Sequence, residues 1–157
     1  MRKIFSLALM VLMVAGFSVC QATISPDRMN AGGVYLGQSI SEVVSVLGQP
    51  VDKFKEEGDS TSDTYLWCSD KSFAVLFSNG IARDIRVLGN NGISTSDGIK
   101  VGMPISEVKR ILGTPDAESP AQEYFSQSMT YKDHAKQKTL HFIIENDVVK
   151  SYSIYGR

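Results

Sequence analysis

Residues 37–50 read Gly37-Gln38-Ser39-Ile40-Ser41-Glu42-Val43-Val44-Ser45-Val46-Leu47-Gly48-Gln49-Pro50, and this stretch decides the fold. It returns 65 positions later as Gly102-Met103-Pro104-Ile105-Ser106-Glu107-Val108-Lys109-Arg110-Ile111-Leu112-Gly113-Thr114-Pro115. Self-similarity at such a period marks two copies of one supersecondary unit. In the first copy Ile40, Val43, Val44 and Leu47 fall at i, i+3, i+4 and i+7, the apolar stripe of a helix. Ser39 followed by Glu42 is a capping box, and Gly48 then Pro50 spell its end. In the second copy Ile105, Val108, Ile111 and Leu112 make the stripe, with Gly113 and Pro115 as the stop. Pro104 replaces the capping serine, which the first helical turn tolerates. Gly37, Glu42, Gly48 and Pro50, with Gly102, Glu107, Gly113 and Pro115, are therefore read as structural punctuation of the repeat. Helices of about ten residues need a sheet to cover before they persist.

Each helix is followed by strand-forming sequence. Thr64 to Trp67 and Ser72 to Phe77 are rich in aromatic and branched residues, and Ile81 to Leu88 resumes after Ser78-Asn79-Gly80, a hairpin signal. A three-residue connection gathers Phe73, Val75, Phe77, Ile81 and Ile85 on one face. A two-residue Asn79-Gly80 turn would bring Asp84 and Arg86 onto it, so the longer turn is expected. The second copy repeats the plan with Leu140, Phe142 and Ile144, then Glu145-Asn146-Asp147, then Val148, Tyr152 and Ile154. Arg83 and Lys150 hold equivalent places and are expected at the sheet margin. With lead-ins at Val34 to Leu36 and Ile99 to Val101, the expected fold is α+β. It consists of two tandem helix-plus-antiparallel-sheet repeats forming a two-layer sandwich, with repeats at 23–90 and 91–157. A unit of about 60 residues is marginal alone, so the two should lean on each other.

Residues 1–22 read as a secretory signal peptide: Arg2 and Lys3, an apolar run from Ile4 to Val19, and small residues before a cleavage point after Ala22. The run is short for a spanning helix, and nothing later is apolar enough to cross a bilayer. The expected location is periplasmic or secreted. The competing outcome is an outer-membrane lipoprotein anchored through Cys20, but Val19 and Phe17 depart from the lipoprotein pattern. With 16 basic and 17 acidic residues over 157 positions, and two of the basic ones in the leader, the chain is mildly acidic. No basic stripe suits nucleic acid. Cys68 is the one cysteine after the leader, so no intramolecular disulfide is available.

Gly-x-x-Ile-Ser-Glu-Val, then Leu-Gly-x-Pro, a Tyr-containing strand and an Asn-Gly hairpin resemble the envelope module of the BamE (SmpA/OmlA) lipoproteins. The tandem arrangement is similar to that of beta-lactamase inhibitory protein. The resemblance covers Gly33 to Ile154 and implies a non-enzymatic protein-binding role outside the cytoplasm. BamE has one copy and a clear lipidation site, and the inhibitor's repeats carry disulfides. Here there are two copies, a poor lipidation site and no disulfide.

Chemistry-bearing clusters are scarce. Cys68 beside Trp67 has no partner in the sequence to lower its pKa, and burial accounts for it better than catalysis. His134 and His141 have no companions at zinc-ligand spacing. The acidic loop of Glu56, Glu57, Asp59 and Asp63 lacks the alternation of a calcium loop. No metal, cofactor or catalytic residue is expected. The aromatics are the best lead, because Tyr65, Trp67, Tyr124, Phe125, Tyr131, Tyr152 and Tyr155 exceed what one small core hides. A helix covers one face of its sheet, and rings on the other face anchor protein interfaces. The candidate partner-binding residues are thus Tyr65, Trp67, Tyr131, Tyr152 and Tyr155, against the plainer account that most of them are core. The expected function is an exported, non-enzymatic module of the bacterial cell envelope that binds another envelope protein. A secreted inhibitor of an envelope or extracellular hydrolase is the alternative, and a thiol-dependent enzyme using Cys68 comes third.

Overall fold

Eight of the strands lie in one sheet, and both copies of the repeat feed it. A computed structural model describes residues 24–55, 58–123, 125–135 and 137–156; the expected signal peptide, Glu56, Glu57 and Tyr124 lie outside them. After a 3-10 turn at Pro26–Arg28 come β1 (Asn30–Ala31), β2 (Val34–Tyr35), α1 (Ile40–Leu47), β3 (Asp52–Lys55), β4 (Ser62–Trp67), β5 (Phe73–Ser78) and β6 (Ile81–Val87). Then follow α2 (Ile105–Leu112), β7 (Ala117–Ser119), β8 (Gln127–Asp133), β9 (Lys138–Glu145) and β10 (Val148–Gly156). The sheet order is β3-β4-β5-β6-β10-β9-β8-β7, antiparallel throughout, while β1 and β2 pair only with each other.

This corrects the expected fold class. The protein is mostly β, with two eight-residue helices, and its strands form a single eight-stranded sheet over one core rather than two tandem helix-plus-sheet repeats. The join is the β6–β10 ladder, where Ile85 lies opposite Ile154 and Val87 opposite Tyr152, all four buried. The lead-in segments also fall elsewhere than expected. Val34–Tyr35 joins β1, and the strands that do join the sheet are the edge strands β3 and β7, which follow Pro50 and Pro115.

Helix ends show why the motif is duplicated. Ser39 and Glu42 make the capping box, the Ser39 amide donating to Glu42 Oε2 at 2.7 Å. Hydrogen bonds from Ser39 hold the Glu42 carboxyl below its usual pKa. Pro104 offers no such cap, and Glu107 instead binds Arg110, with Nη2 to Oε1 at 2.6 Å, so the capping role read for Glu107 is corrected. Both helix starts are closed by the hairpin of their own half. Ile40 N–H donates to the Gly80 carbonyl at 3.2 Å, and Ile105 N–H to Asp147 at 3.0 Å. Gly37 and Gly102, with φ of 95° and 88°, turn the chain so that their amides reach the Ala82 and Val149 carbonyls. Gly48 (φ 78°, ψ −169°) and Gly113 (φ 83°, ψ −157°) end the helices in an extended conformation at positive φ that is essentially confined to glycine.

Both hairpins turn in two residues. Ser78 pairs with Ile81 and Glu145 with Val148, leaving Asn79-Gly80 and Asn146-Asp147 at positive φ. The three-residue turn is therefore corrected, for a reason the alternation alone hides. A bulge at Arg83 lets Leu76 pair with Asp84 while Phe77 pairs with Ala82, returning Phe73, Val75, Phe77, Ala82, Ile85 and Val87 to one face. Lys150 is bulged out of β10 in the same way. Both residues are exposed, expelled from the ladder by the bulge.

The core lies between the sheet and a layer made by α1, α2 and residues 24–36. Val43, Val108 and Leu112 of the helices, together with Ile24, Met29, Ala31 and Val34, are buried in it. Arg28 ties that N-terminal segment down, its Nε lying 2.9 Å from Asp97 Oδ2 and its Nη2 donating to the Ile111 carbonyl at 3.2 Å. Gly32 N–H donates to the Ser94 carbonyl at 2.9 Å, so the lead-in and the 89–101 connector brace each other.

Candidate interaction face

One face of the sheet packs on the helices; the side chains of the other alternate with it. The registers align Phe54, Thr64, Leu76, Asp84, Tyr155, Thr139 and Lys132 in a row across seven strands of this second face. The adjacent row runs Asp52, Leu66, Ala74, Arg86, Ser153, His141, Thr130 and Ala117. A further row holds Ser151, Ile143, Ser128 and Ser119, with Leu88 brought to this side by its place after the inward Val87.

Large apolar side chains stand out of this face. Phe54 is 50% exposed, Leu88 53% and Tyr155 42%, and Phe125, beside Ser128, His141 and Ile143 at the rim, is 71% exposed. Phe125 is presented by a tight loop in which Gln122 and Phe125 exchange backbone hydrogen bonds of 2.9 and 3.1 Å. Around these groups lie hydroxyls: Ser128, Thr130, Thr139, Ser151 and Ser153. Among the few charges are the Asp84–Arg86 pair (Oδ2 to Nη2 2.6 Å) and Lys132. His141 Nδ1 lies 3.0 Å from Thr130 Oγ1, and partial burial lowers the imidazole pKa, favouring the neutral ring. The surface is thus apolar groups set in a neutral, hydroxyl-lined field, the composition of a wet protein interface rather than of an electrostatic funnel.

The five aromatics picked from the sequence divide. Trp67 is 4% exposed, Tyr131 0% and Tyr152 1%, so these three are core residues and cannot meet a partner. Their polar atoms find internal carbonyls, as buried tyrosine and tryptophan require. Trp67 Nε1–H donates to Gly48 at 3.0 Å, and the Tyr131 hydroxyl to Gly113 at 3.0 Å. The Tyr152 hydroxyl reaches Ile93 at 3.3 Å. Burial raises the pKa of both tyrosines. Tyr65 lies on the helix face, edge-on to Phe77 with ring centroids 5.2 Å apart and with Lys53 Nζ over its ring. Tyr155 alone of the five stands on the open face. Phe54, Leu88 and Asp84 were not legible as surface residues, because their side depends on the bulge and on an edge strand that polar sequence conceals.

Neither cysteine nor histidine builds a reactive centre among the described residues. Cys68 packs against the core at a turn with φ 66° and is a free thiol. The exposed His134 lies 2.9 Å from Asp116. No group of three histidine, cysteine or acidic residues placed to hold a metal occurs among the described residues. Asp59 caps its own turn through Ser62 and Thr61, which lower its pKa to about 2. No helix among the described residues is long and apolar enough to cross a membrane.

No protein-family model matches the chain, and no curated protein matches it in sequence. The resemblance to BamE therefore has no family match behind it. Solved structures do resemble the fold. A cysteine-rich secretory protein from Staphylococcus aureus is similar at TM-score 0.57 and 12% identity, over 87% of this chain but 48% of its own length, so this chain spans about half of it. A DUF4309 family protein from Bacillus subtilis is similar at TM-score 0.49 and 17% identity, over 80% of this chain and 83% of that one. A provisionally assigned beta-lactamase inhibitor protein from Streptococcus mutans aligns at TM-score 0.32 and 18% identity, over 75% of this chain and 82% of that one. At 12% identity the likeness to the secretory protein concerns the fold alone.

Proposed function

We propose that the protein is an exported, non-enzymatic binding module of the bacterial cell envelope that engages another envelope protein through the open face of its sheet. The observation that carries this reading is that Phe54, Leu88, Phe125 and Tyr155 all stand exposed on the side of the sheet that no helix covers, with Leu66, Leu76 and Ile143 half-buried on the strands between them. Large apolar side chains exposed on a rigid, uncovered sheet face are suited to anchor a protein partner. The leader-like residues 1–22 support export, and Cys68, packed against the core at a turn, offers no support for thiol catalysis.

The test is an affinity capture from envelope extract with the wild-type chain and with Phe125→Ala/Tyr155→Ala. The double variant should retain its thermal stability and lose the captured protein. Equal capture by both rejects this face. Titration against envelope hydrolases separates an inhibitor from an adaptor, since only an inhibitor lowers their turnover.

A further inference from the structure

The groove between α1 and the edge strand β3 is open in the first half of the chain, and its counterpart in the second half is covered. Ile40 and Val44 of α1, Pro50, Val51 and Tyr65 of β4 line about 390 Å³ of it, at the lower end of sites that hold a ligand. Val51 is 56% exposed and Tyr65 only half-buried. Lys53 Nζ lies over the Tyr65 ring, 5.8 Å from its centre, and has no ion partner among the described residues. Asp52, the acid at the margin of the groove, is already bound to Lys71 at 2.6 Å.

The second half shows what covers such a groove. Val44 and Lys53 correspond, 65 positions on, to Lys109 and Glu118. Tyr65 corresponds to Met129, because Lys53 lies opposite Tyr65 and Glu118 opposite Met129. There Lys109 Nζ reaches Glu118 Oε1 at 2.8 Å, and Met129 is only 1% exposed. A long side chain with a charge at its tip thus meets the opposite charge on the edge strand. In the first half the edge strand keeps a charge, of reversed sign, and Val44 has neither the reach nor the charge to meet it.

The geometry points to a binding site in this groove for an extended acidic segment of a protein partner. Its glutamate lays its methylenes along Val44 and Tyr65 and sets its carboxylate on Lys53. The sign of the ligand follows from Lys53, and its reach from the Lys109 side chain that does the same work in the other half. A peptide suits the place better than a free fatty acid because β3 is an edge of the sheet, with β4 on one flank and no described strand on the other. An edge strand accepts an added extended chain through its backbone, and alternate side chains of that chain fall on the groove side. The site lies on the helix side of the sheet, so it does not depend on the open face.

The experiment titrates acetyl-Val-Thr-Glu-Thr-Val-amide into the isotope-labelled full exported chain and follows backbone amide shifts by NMR. The peptide is taken to about 10 mM, where a millimolar Kd registers. Saturable shifts are expected at Val44, Val51, Lys53 and Tyr65. The same peptide with Gln in place of Glu should bind about three- to fivefold more weakly at about 0.05 M salt, a gap that narrows at about 0.5 M. Lys53→Gln should bind the two peptides alike. Val44→Lys/Lys53→Glu, which gives the first groove the cover of the second, should lose the shifts. Both variants should melt within about 3 °C of wild type, and Lys53→Gln decides alone if the double variant does not fold. The inference is overturned by any of three results: no saturation with the Glu peptide, equal binding of both peptides by wild type, or undiminished binding by the folded double variant. Shifts confined to β7 or to the open face overturn it as well. So do oligomers of the free chain that dissociate in Lys53→Gln, since the occupant would then be the acidic β7 edge of a second copy. None of these outcomes alters the capture test of the open face.

Discussion

Trp67 and Tyr131 do the same work from matching strands, each sending its one polar atom to the carbonyl of the glycine that ends a helix. A helix terminus leaves its last carbonyls without partners, and these two rings satisfy one at each end while filling the core. Trp67→Phe and Tyr131→Phe should each destabilise the protein by about 1 kcal/mol, since each removes a part-buried hydrogen bond to a helix-ending carbonyl. Urea unfolding should show a lower midpoint at unchanged slope. His141 gives a residue-scale pH effect. Burial depresses its pKa below the usual 6.5 of a free imidazole, so as pH falls the unfolded chain takes up the proton first. Its contribution is complete above that value, shrinks as pH drops below it, and is lost once pH passes beneath the folded pKa. No carboxylate lines the pocket around the ring, which holds Ser119, Gln122, Phe125, Ser126, Ser128 and Ile143, so nothing there compensates the charge. Unfolding midpoints at about pH 7.5 and 5.5 should converge in His141→Gln relative to wild type.

At the scale of elements, the conformation of Gly48 makes a sharp expectation. An added Cβ would meet nothing within 4 Å, so the cost of Gly48→Ala lies in the backbone alone. At φ 78° and ψ −169° that cost should be about 1–3 kcal/mol, read as a drop in Tm without loss of the folded signal. Ser39→Ala should cost about 1 kcal/mol through the lost cap, whereas the second helix has no side-chain cap to lose. These elements were the legible part of the chain. Apolar spacing, capping box and glycine stops locate both helices because each signal is local. The hairpin turns were misread because a bulge changes which residues share a face, and alternation assumes that none is present. The edge strands β3 and β7 were invisible because all their residues are exposed and carry no apolar pattern. Trp67 and Tyr131 were misplaced for a related reason: a strand's pattern shows two faces without saying which one the helices cover.

For the whole molecule, the decisive feature is the ladder between β6 and β10 at the centre of the sheet. Residues 23–90 and 91–157 were expected to lean on each other, and the shared core makes that dependence concrete. Expressed separately, each piece would present a central strand as a long apolar edge, with Ile85 and Val87 or Tyr152 and Ile154 uncovered at one flank. Neither piece should show cooperative thermal unfolding alone, and mixing them should restore it if their strands find each other. The face that carries Phe125 and Tyr155 also spans both pieces, so a half-chain should not reproduce its binding.

β10 comes after every other strand among the described residues yet stands in the middle of the sheet. During synthesis β6 therefore waits with one flank unmated while β7, β8 and β9 are made, and the centre closes only when residues 148–156 emerge. A nascent chain stays open at the centre of its sheet until this strand is made. Ribosome-bound chains arrested ahead of residue 148 should be cut readily by protease, and those arrested well beyond it should resist.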